Sequence, residues 1–385
     1  MGSLGSSAVR DLLAVTSRPD IVSMAGGLPD QSAMPRDWLA ACLDDALAEP
    51  GVLQYSTTEG DPELRGIVAT WEQASMGRPV SADQVLITTG SQQALSLLSH
   101  ALIDPGDAVV VEDPAYVGAL GSFRLAEADL VAIPQDGEGL RVDVLEERLT
   151  AGLRPKLAYV TPTFHNPAGS TLTDARRRRL ADLADSYGFW LVEDDAYRRL
   201  WFDTPPPAPI ATYGERVVRM GTFSKILSPG LRVGWIIAPP ALRRALVRVK
   251  QSTDLHTSTL GQIALRNAAR DEAHLERHLT AVRDLYRRRA QHMLRGLGET
   301  FGDRIAVVPP KGGMFCWVRF TDGTQTVHLL RAAVEEGVAF VPGEAFSVLG
   351  TQQHSARLCF ASVPEEKLDL GLARLAKAHA RAVAE

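Results

Sequence analysis

The residues best suited to chemistry lie in Gly221-Thr222-Phe223-Ser224-Lys225, with Arg232 seven positions further on. One lysine stands among small hydroxyls and near a second cation. Apolar runs over 217–220 and 233–238 flank it and read as buried strands, so the lysine occupies a loop fed by a rigid sheet. A lysine that is partly desolvated and close to another fixed cation loses proton affinity. It can then act as a neutral amine that condenses with a carbonyl. A solvated lysine in a surface loop is the competing reading of this stretch, and the neighbouring segments must decide.

Those segments supply a consistent set. Thr89-Gly90-Ser91-Gln92 opens a helix, and the free backbone N–H groups of such an opening bind phosphate well. Asp113-Pro114-Ala115-Tyr116 offers a ring that stacks on a planar ligand or packs in the core. In Pro162-Thr163-Phe164-His165-Asn166-Pro167, a fixed asparagine amide can donate to a phenolate or a carboxylate. Glu193-Asp194-Asp195-Ala196-Tyr197 puts acids at a strand end, where burial is costly unless a cation is met. A protonated ring nitrogen is such a cation. A metal ion is the alternative, but no histidine or further acid lies near in sequence.

What positions these residues is a rhythm of apolar run, small or polar loop and helix-patterned segment. The runs fall at 85–88, 108–112, 129–133, 157–161, 189–193, 217–220 and 233–238. They predict an α/β fold with a mostly parallel seven-stranded sheet covered by helices. Each candidate segment follows one of these runs, where open α/β sheets bind ligands. Long helical patterns at 241–251, 259–270 and 272–296 then lead to a smaller α+β unit, with strands near 305–308, 314–319, 338–341 and 356–361. The expected division is an N-terminal segment, 1–40, packing on the small domain and over the site. A large domain, 41–275, and a small C-terminal domain, 276–385, complete it. A short helix is expected over 8–15, and the run Arg176 to Arg179 reads as the solvated face of an amphipathic helix.

Composition sets limits. The 385 residues are 45% hydrophobic, enough for a large core, and the net charge of -5 argues against a nucleic-acid-binding surface. The three cysteines Cys42, Cys316 and Cys359 lack CxxC spacing, which suits a reducing cytoplasm rather than a disulfide framework. No leader-like or membrane-length apolar run occurs, so no membrane partner is expected.

One small molecule uses the lysine, acid, amide, aromatic ring and phosphate turn together: pyridoxal 5'-phosphate. The motifs GSQQAL, DPAYVG, PTFHNPAG, EDDAYRRL, TFSKILSPGLRVGW and ARLCFA, spread over nearly the whole chain, resemble those of fold-type I pyridoxal-phosphate aminotransferases of class I/II. The opening Ser7-Ala8-Val9-Arg10-Asp11-Leu12-Leu13, continuing from Ile21 to Pro29, is similar to the 2-aminoadipate/aromatic aminotransferase branch.

That resemblance implies an amino acid:2-oxo acid aminotransferase with two ping-pong half reactions. Lys225 would form the Schiff base and move the proton, and Asp194 would pair with the pyridinium nitrogen. Tyr197 and Asn166 would bond the ring oxygen, and Tyr116 would stack on the ring. Ser91, Gln92, Thr222, Ser224 and Arg232 would hold the phosphate. Arg357 would grip the substrate α-carboxylate, Gly27 would let the N-terminal segment close, and Arg10 would meet an acidic side chain. Tyr55 would reach the neighbouring site of a homodimer. His165 departs from the glutamine common before this Asn-Pro, leaving either a change in pocket polarity or a structural histidine. A decarboxylase, lyase or amino acid oxidase on the same fold is the alternative. A transcriptional regulator is disfavoured, since no DNA-binding segment precedes Ser7.

Overall fold

Runs of valine, leucine and isoleucine without polar alternation build the central sheet, because helices cover both of its faces. The computed structural model describes residues 18–384; the helix expected over 8–15 lies outside the described residues. In chain order the strands are β1 (Val22–Ser23), β2 (Val85–Thr88), β3 (Ala108–Asp113), β4 (Asp129–Asp136), β5 (Gly139–Leu140), β6 (Leu157–Val160) and β7 (Trp190–Asp194). They continue as β8 (Val217–Thr222), β9 (Gly234–Ile237), β10 (Ile305–Val307), β11 (Phe315–Phe320), β12 (Val338–Ala339), β13 (Val341–Pro342) and β14 (Ser355–Cys359).

The large sheet has the order β2-β9-β8-β7-β6-β3-β4-β5. β9 pairs antiparallel with both of its neighbours, and β5 folds back on β4 as a two-residue hairpin arm; the other pairings are parallel. The seven expected strands are thus joined by a short eighth at one edge. Alternate residues feed two cores: Val110, Ala158 and Leu191 face one helical layer, and Val111, Tyr159 and Val192 face the other.

The helix Glu272–Phe301 links this body to the second unit. Its Leu275 and Leu279 belong to the core of the large sheet, whereas Tyr286, Met293, Leu297 and Phe301 pack in a second core with Phe315, Phe340 and Leu358. That second unit is built on the antiparallel sheet β10-β11-β14-β13. The N-terminal segment joins it, because β1 pairs in parallel with β12 and the Cys359 N–H donates to the Met24 carbonyl at 2.8 Å.

One expectation from the charge pattern fails. In the helix Asp174–Tyr187, Arg177 is fully buried with Leu180, Ala181 and Ala184, at the helical spacing i, i+3, i+4 and i+7. Its guanidinium donates to the carbonyls of Leu172 at 2.9 Å and Pro162 at 2.7 Å. Arg177 therefore braces the turn that leads to Asn166, while Arg176, Arg178 and Arg179 pair with surface carboxylates.

Candidate active site

Glu193, Asp194 and Asp195 separate by the two-residue period of β7. Glu193 and Asp195 turn to one face, where Arg219 of β8 lies 3.4 Å and 2.6 Å away and also meets Glu72. Asp194 turns to the other face, where no arginine or lysine among the described residues forms an ion pair with it. It enters a cavity of about 350 Å³ lined by residues from the ends of β2, β3, β6, β7, β8 and β14. The Tyr159 hydroxyl donates to Asp194 Oδ2 at 2.8 Å, and Oδ1 is buried with no partner among the described residues. Burial pushes this carboxyl up to about 6, against the pull of the Tyr159 donor.

Lys225 ends the short 3₁₀ turn Phe223–Lys225 that follows β8. The Thr222 side chain starts the turn by accepting from the Ser224 N–H at 3.1 Å. A Cβ on Gly221 would sit 2.3 Å from the Trp235 indole on β9, so only glycine lets the two strands pair there. Lys225 Nζ donates to the Gly27 carbonyl at 3.0 Å. Burial lowers its ammonium to about 8, and the Arg357 and Arg232 guanidiniums push the same way. Burial thus outweighs the neighbouring cation as the cause.

Asn166 follows β6 in a turn held from behind by His165. His165 Nδ1 accepts from the Ala168 N–H at 3.1 Å, and Nε2 lies 3.0 Å from Glu112. His165 is buried and does not line the cavity, so its place is structural. Asn166 accepts from Arg357 Nη1 at 2.8 Å through its oxygen and faces the Tyr197 hydroxyl, at 3.5 Å, through its nitrogen. Arg357, on β14, also donates to the Ala25 carbonyl at 2.7 Å and lies over the rings of Phe315 and Phe346.

At the other end of the cavity, Ser91 and Gln92 begin the helix Gly90–Leu102. The Ser91 hydroxyl is buried without a partner among the described residues, and Gln92 ties its side chain to Ser122 at 2.8 Å. Gly90 has φ +74°, and a Cβ there would lie 2.6 Å from Arg232 Nη2, so backbone and guanidinium form one concave surface. Tyr116, Thr222 and Ser224 complete the wall.

Of the residues singled out from sequence, Tyr55 does not line this cavity and is exposed on the surface. Arg10 lies outside the described residues. Sequence reasoning missed Tyr159 and Thr161. The available signal was a tyrosine inside an otherwise apolar strand run, since a buried phenol needs a partner.

Pyridoxal phosphate fits this donor set. A ring N–H would satisfy the orphaned Asp194 Oδ1, and a phosphate would satisfy Ser91 and the turn beside Arg232. Together with the sheet, this places the protein in the class of lysine-anchored pyridoxal-phosphate enzymes. The family model for aminotransferase class I and II matches residues 20–375. The chain belongs to that family, its cofactor is pyridoxal phosphate, and it is an aminotransferase.

It is 40% identical to aromatic-amino-acid aminotransferase 1 of Thermococcus litoralis, over 97% of this chain and 91% of the relative. Among solved structures, it resembles a Pyrococcus horikoshii kynurenine aminotransferase in complex with PMP. That match has a TM-score of 0.93 and 39% identity, covering 98% of this chain and 95% of the other. It also resembles LysN, the alpha-aminoadipate aminotransferase of Thermus thermophilus, complexed with N-(5'-phosphopyridoxyl)-L-leucine. Here the TM-score is 0.91 and the identity 37%, covering 99% of this chain and 96% of that one.

Proposed function

We propose that Lys225 is the catalytic lysine of an amino acid:2-oxo acid aminotransferase, with Asp194 and Tyr197 as its partners on the cofactor ring. The observation that supports this most is that Lys225 and the unpartnered Asp194 Oδ1 face one cavity. Pyridoxal phosphate supplies an aldehyde that takes up amines and a ring that accepts electrons from the substrate Cα. Asp194 holds the ring nitrogen protonated, and Asn166 and Tyr197 hold the ring oxygen. Ser91, Gln92, Thr222, Ser224 and Arg232 hold the phosphate, and Tyr116 covers the ring face. Arg357 takes the substrate carboxylate beside Gly27. Lys225, with its pKa lowered to about 8, is the base that removes and returns the Cα proton.

Leu28, Tyr116 and Val117 make the remaining wall apolar, which favours aromatic amino acids, the donors named for the Thermococcus relative. Mixing the holoenzyme with phenylalanine, tyrosine, 2-aminoadipate and aspartate tests the reading. An aromatic donor should bleach the visible band of the lysine-bound cofactor, and Lys225→Ala should have no such band. A band that no amino donor removes would sink the aminotransferase assignment for this site.

We further infer a homodimer in which Tyr55 reaches the partner's site. Leu53 and Tyr55 are 82% and 79% exposed, with the Tyr55 ring edge-on to His256 at 5.8 Å between centroids, an apolar pair that suits a second copy of the chain. A sedimentation profile with one chain's mass would contradict it. The division into 1–40, 41–275 and 276–385 is supported by the switch of cores along the helix Glu272–Phe301. A cytoplasmic location is supported by three buried free cysteines.

A further inference from the structure

Thr89 precedes the helix Gly90–Leu102, yet its side chain does not cap it. A threonine at this position ordinarily accepts from a first-turn N–H. Here the hydroxyl is turned away, donating to Asp254 Oδ2 at 2.9 Å. The Thr89 N–H is taken by Gln93 Oε1 at 2.8 Å, from one turn along the helix. Both acceptors are held by one buried cation: Lys250 Nζ lies 2.7 Å from Gln93 Oε1, 2.9 Å and 3.0 Å from the Asp254 oxygens, and 3.1 Å from Thr257 Oγ1. Lys250 is fully buried on the helix Pro240–Thr253 and does not line the active-site cavity.

We propose that Lys250 is a positioning residue for cofactor phosphate: through Asp254 and Gln93 it holds Thr89 out of the capping position, leaving the first-turn N–H groups free for the phosphate. This rests on the phosphate assignment made above for Ser91, Gln92 and Arg232. The knot satisfies the groups around the turn without using the N–H groups of Ser91 and Gln92. A turn that capped itself would compete with the ligand for the same donors. The Lys250 ammonium needs these oxygens in return, since burial without them would drive it to the neutral amine.

The test separates phosphate binding from ring binding. Full-length protein freed of cofactor is titrated with pyridoxal phosphate and with pyridoxal, in wild type, Lys250→Met, Thr89→Val and the double variant, reading the visible band of the lysine-bound form. Lys250→Met should weaken pyridoxal phosphate at least about tenfold and leave pyridoxal within about twofold. Thr89→Val cannot cap and should leave the ratio within about twofold of wild type, and added to Lys250→Met it should restore most of the lost discrimination. Wild type that binds both ligands equally refutes the phosphate assignment itself. Discrimination kept intact in Lys250→Met, equal weakening of both ligands, or no recovery in the double variant overturns the role of Lys250. Should Lys250→Met fail to fold, Asp254→Ala, which frees the Thr89 hydroxyl by removing a partly exposed partner, decides by the same ratio, with an expected shift of at least about threefold.

Discussion

Tyr159→Phe tests how the protein keeps Asp194 charged. The substitution keeps the ring packed edge-on against Phe123, 5.7 Å between centroids. It removes only the hydroxyl that donates to Asp194 Oδ2 at 2.8 Å. A hydrogen bond to a buried charged group is worth about 1.5–3 kcal/mol, and about 1.4 kcal/mol moves a pKa by one. Burial already sets the Asp194 carboxyl at about 6, so without the phenol it should take its proton at roughly pH 7–8.

The sign follows from which form binds. In the role proposed for it the Asp194 carboxylate would hold the ring nitrogen, so affinity should be full above the pKa and fall as pH drops through it. Tyr159→Phe moves that fall upward. Near pH 7 the variant should bind pyridoxal phosphate roughly twofold to tenfold more weakly than wild type, and near pH 9.5 about equally. Affinity measured on cofactor-free protein between pH 5.5 and 9.5 gives the comparison, with the ligand's own ionisations common to both proteins. Equal affinities near pH 7, or a loss that persists at pH 9.5, would refute the reasoning and make Tyr159 a packing residue.

Two further outcomes are expected. Arg357→Lys keeps the charge but loses the planar fork that now bonds Asn166 and Ala25, so KM for amino donors should rise about 10- to 100-fold. Steady-state kinetics with several donors check this, and an unchanged KM for all of them contradicts the carboxylate role. Arg219→Met leaves Glu72, Glu193 and Asp195 buried without their shared cation. Stability should fall by about 3–5 kcal/mol in urea unfolding, and a loss below about 1 kcal/mol would mean that the three acids find other partners.

Legibility in the sequence followed the range of the interactions. Strand and helix positions were readable because burial writes a local period: the helices Thr259–Arg270 and Glu272–Phe301 begin where their patterns begin. The β5 hairpin arm was not, because two residues are too few to show any period. The charged run at Arg176–Arg179 misled because composition dominated its pattern. Only the packed neighbours show that Arg177 has carbonyls and Glu193 to meet.

The sequence by itself determined the chemical inventory: a lysine after one strand, acids, an asparagine and a glycine-led helix after others, in an order set by the chain. The reason that Asp194 and not Asp195 faces the cavity lies in the tertiary structure, because the pleat sends the two to opposite faces and only one face holds Arg219. The same is true of Tyr159, which meets Asp194 across 35 positions, and of Lys250, which reaches Gln93 across 157. No local pattern encodes such contacts; they exist only once separate strands and helices share a core that excludes water.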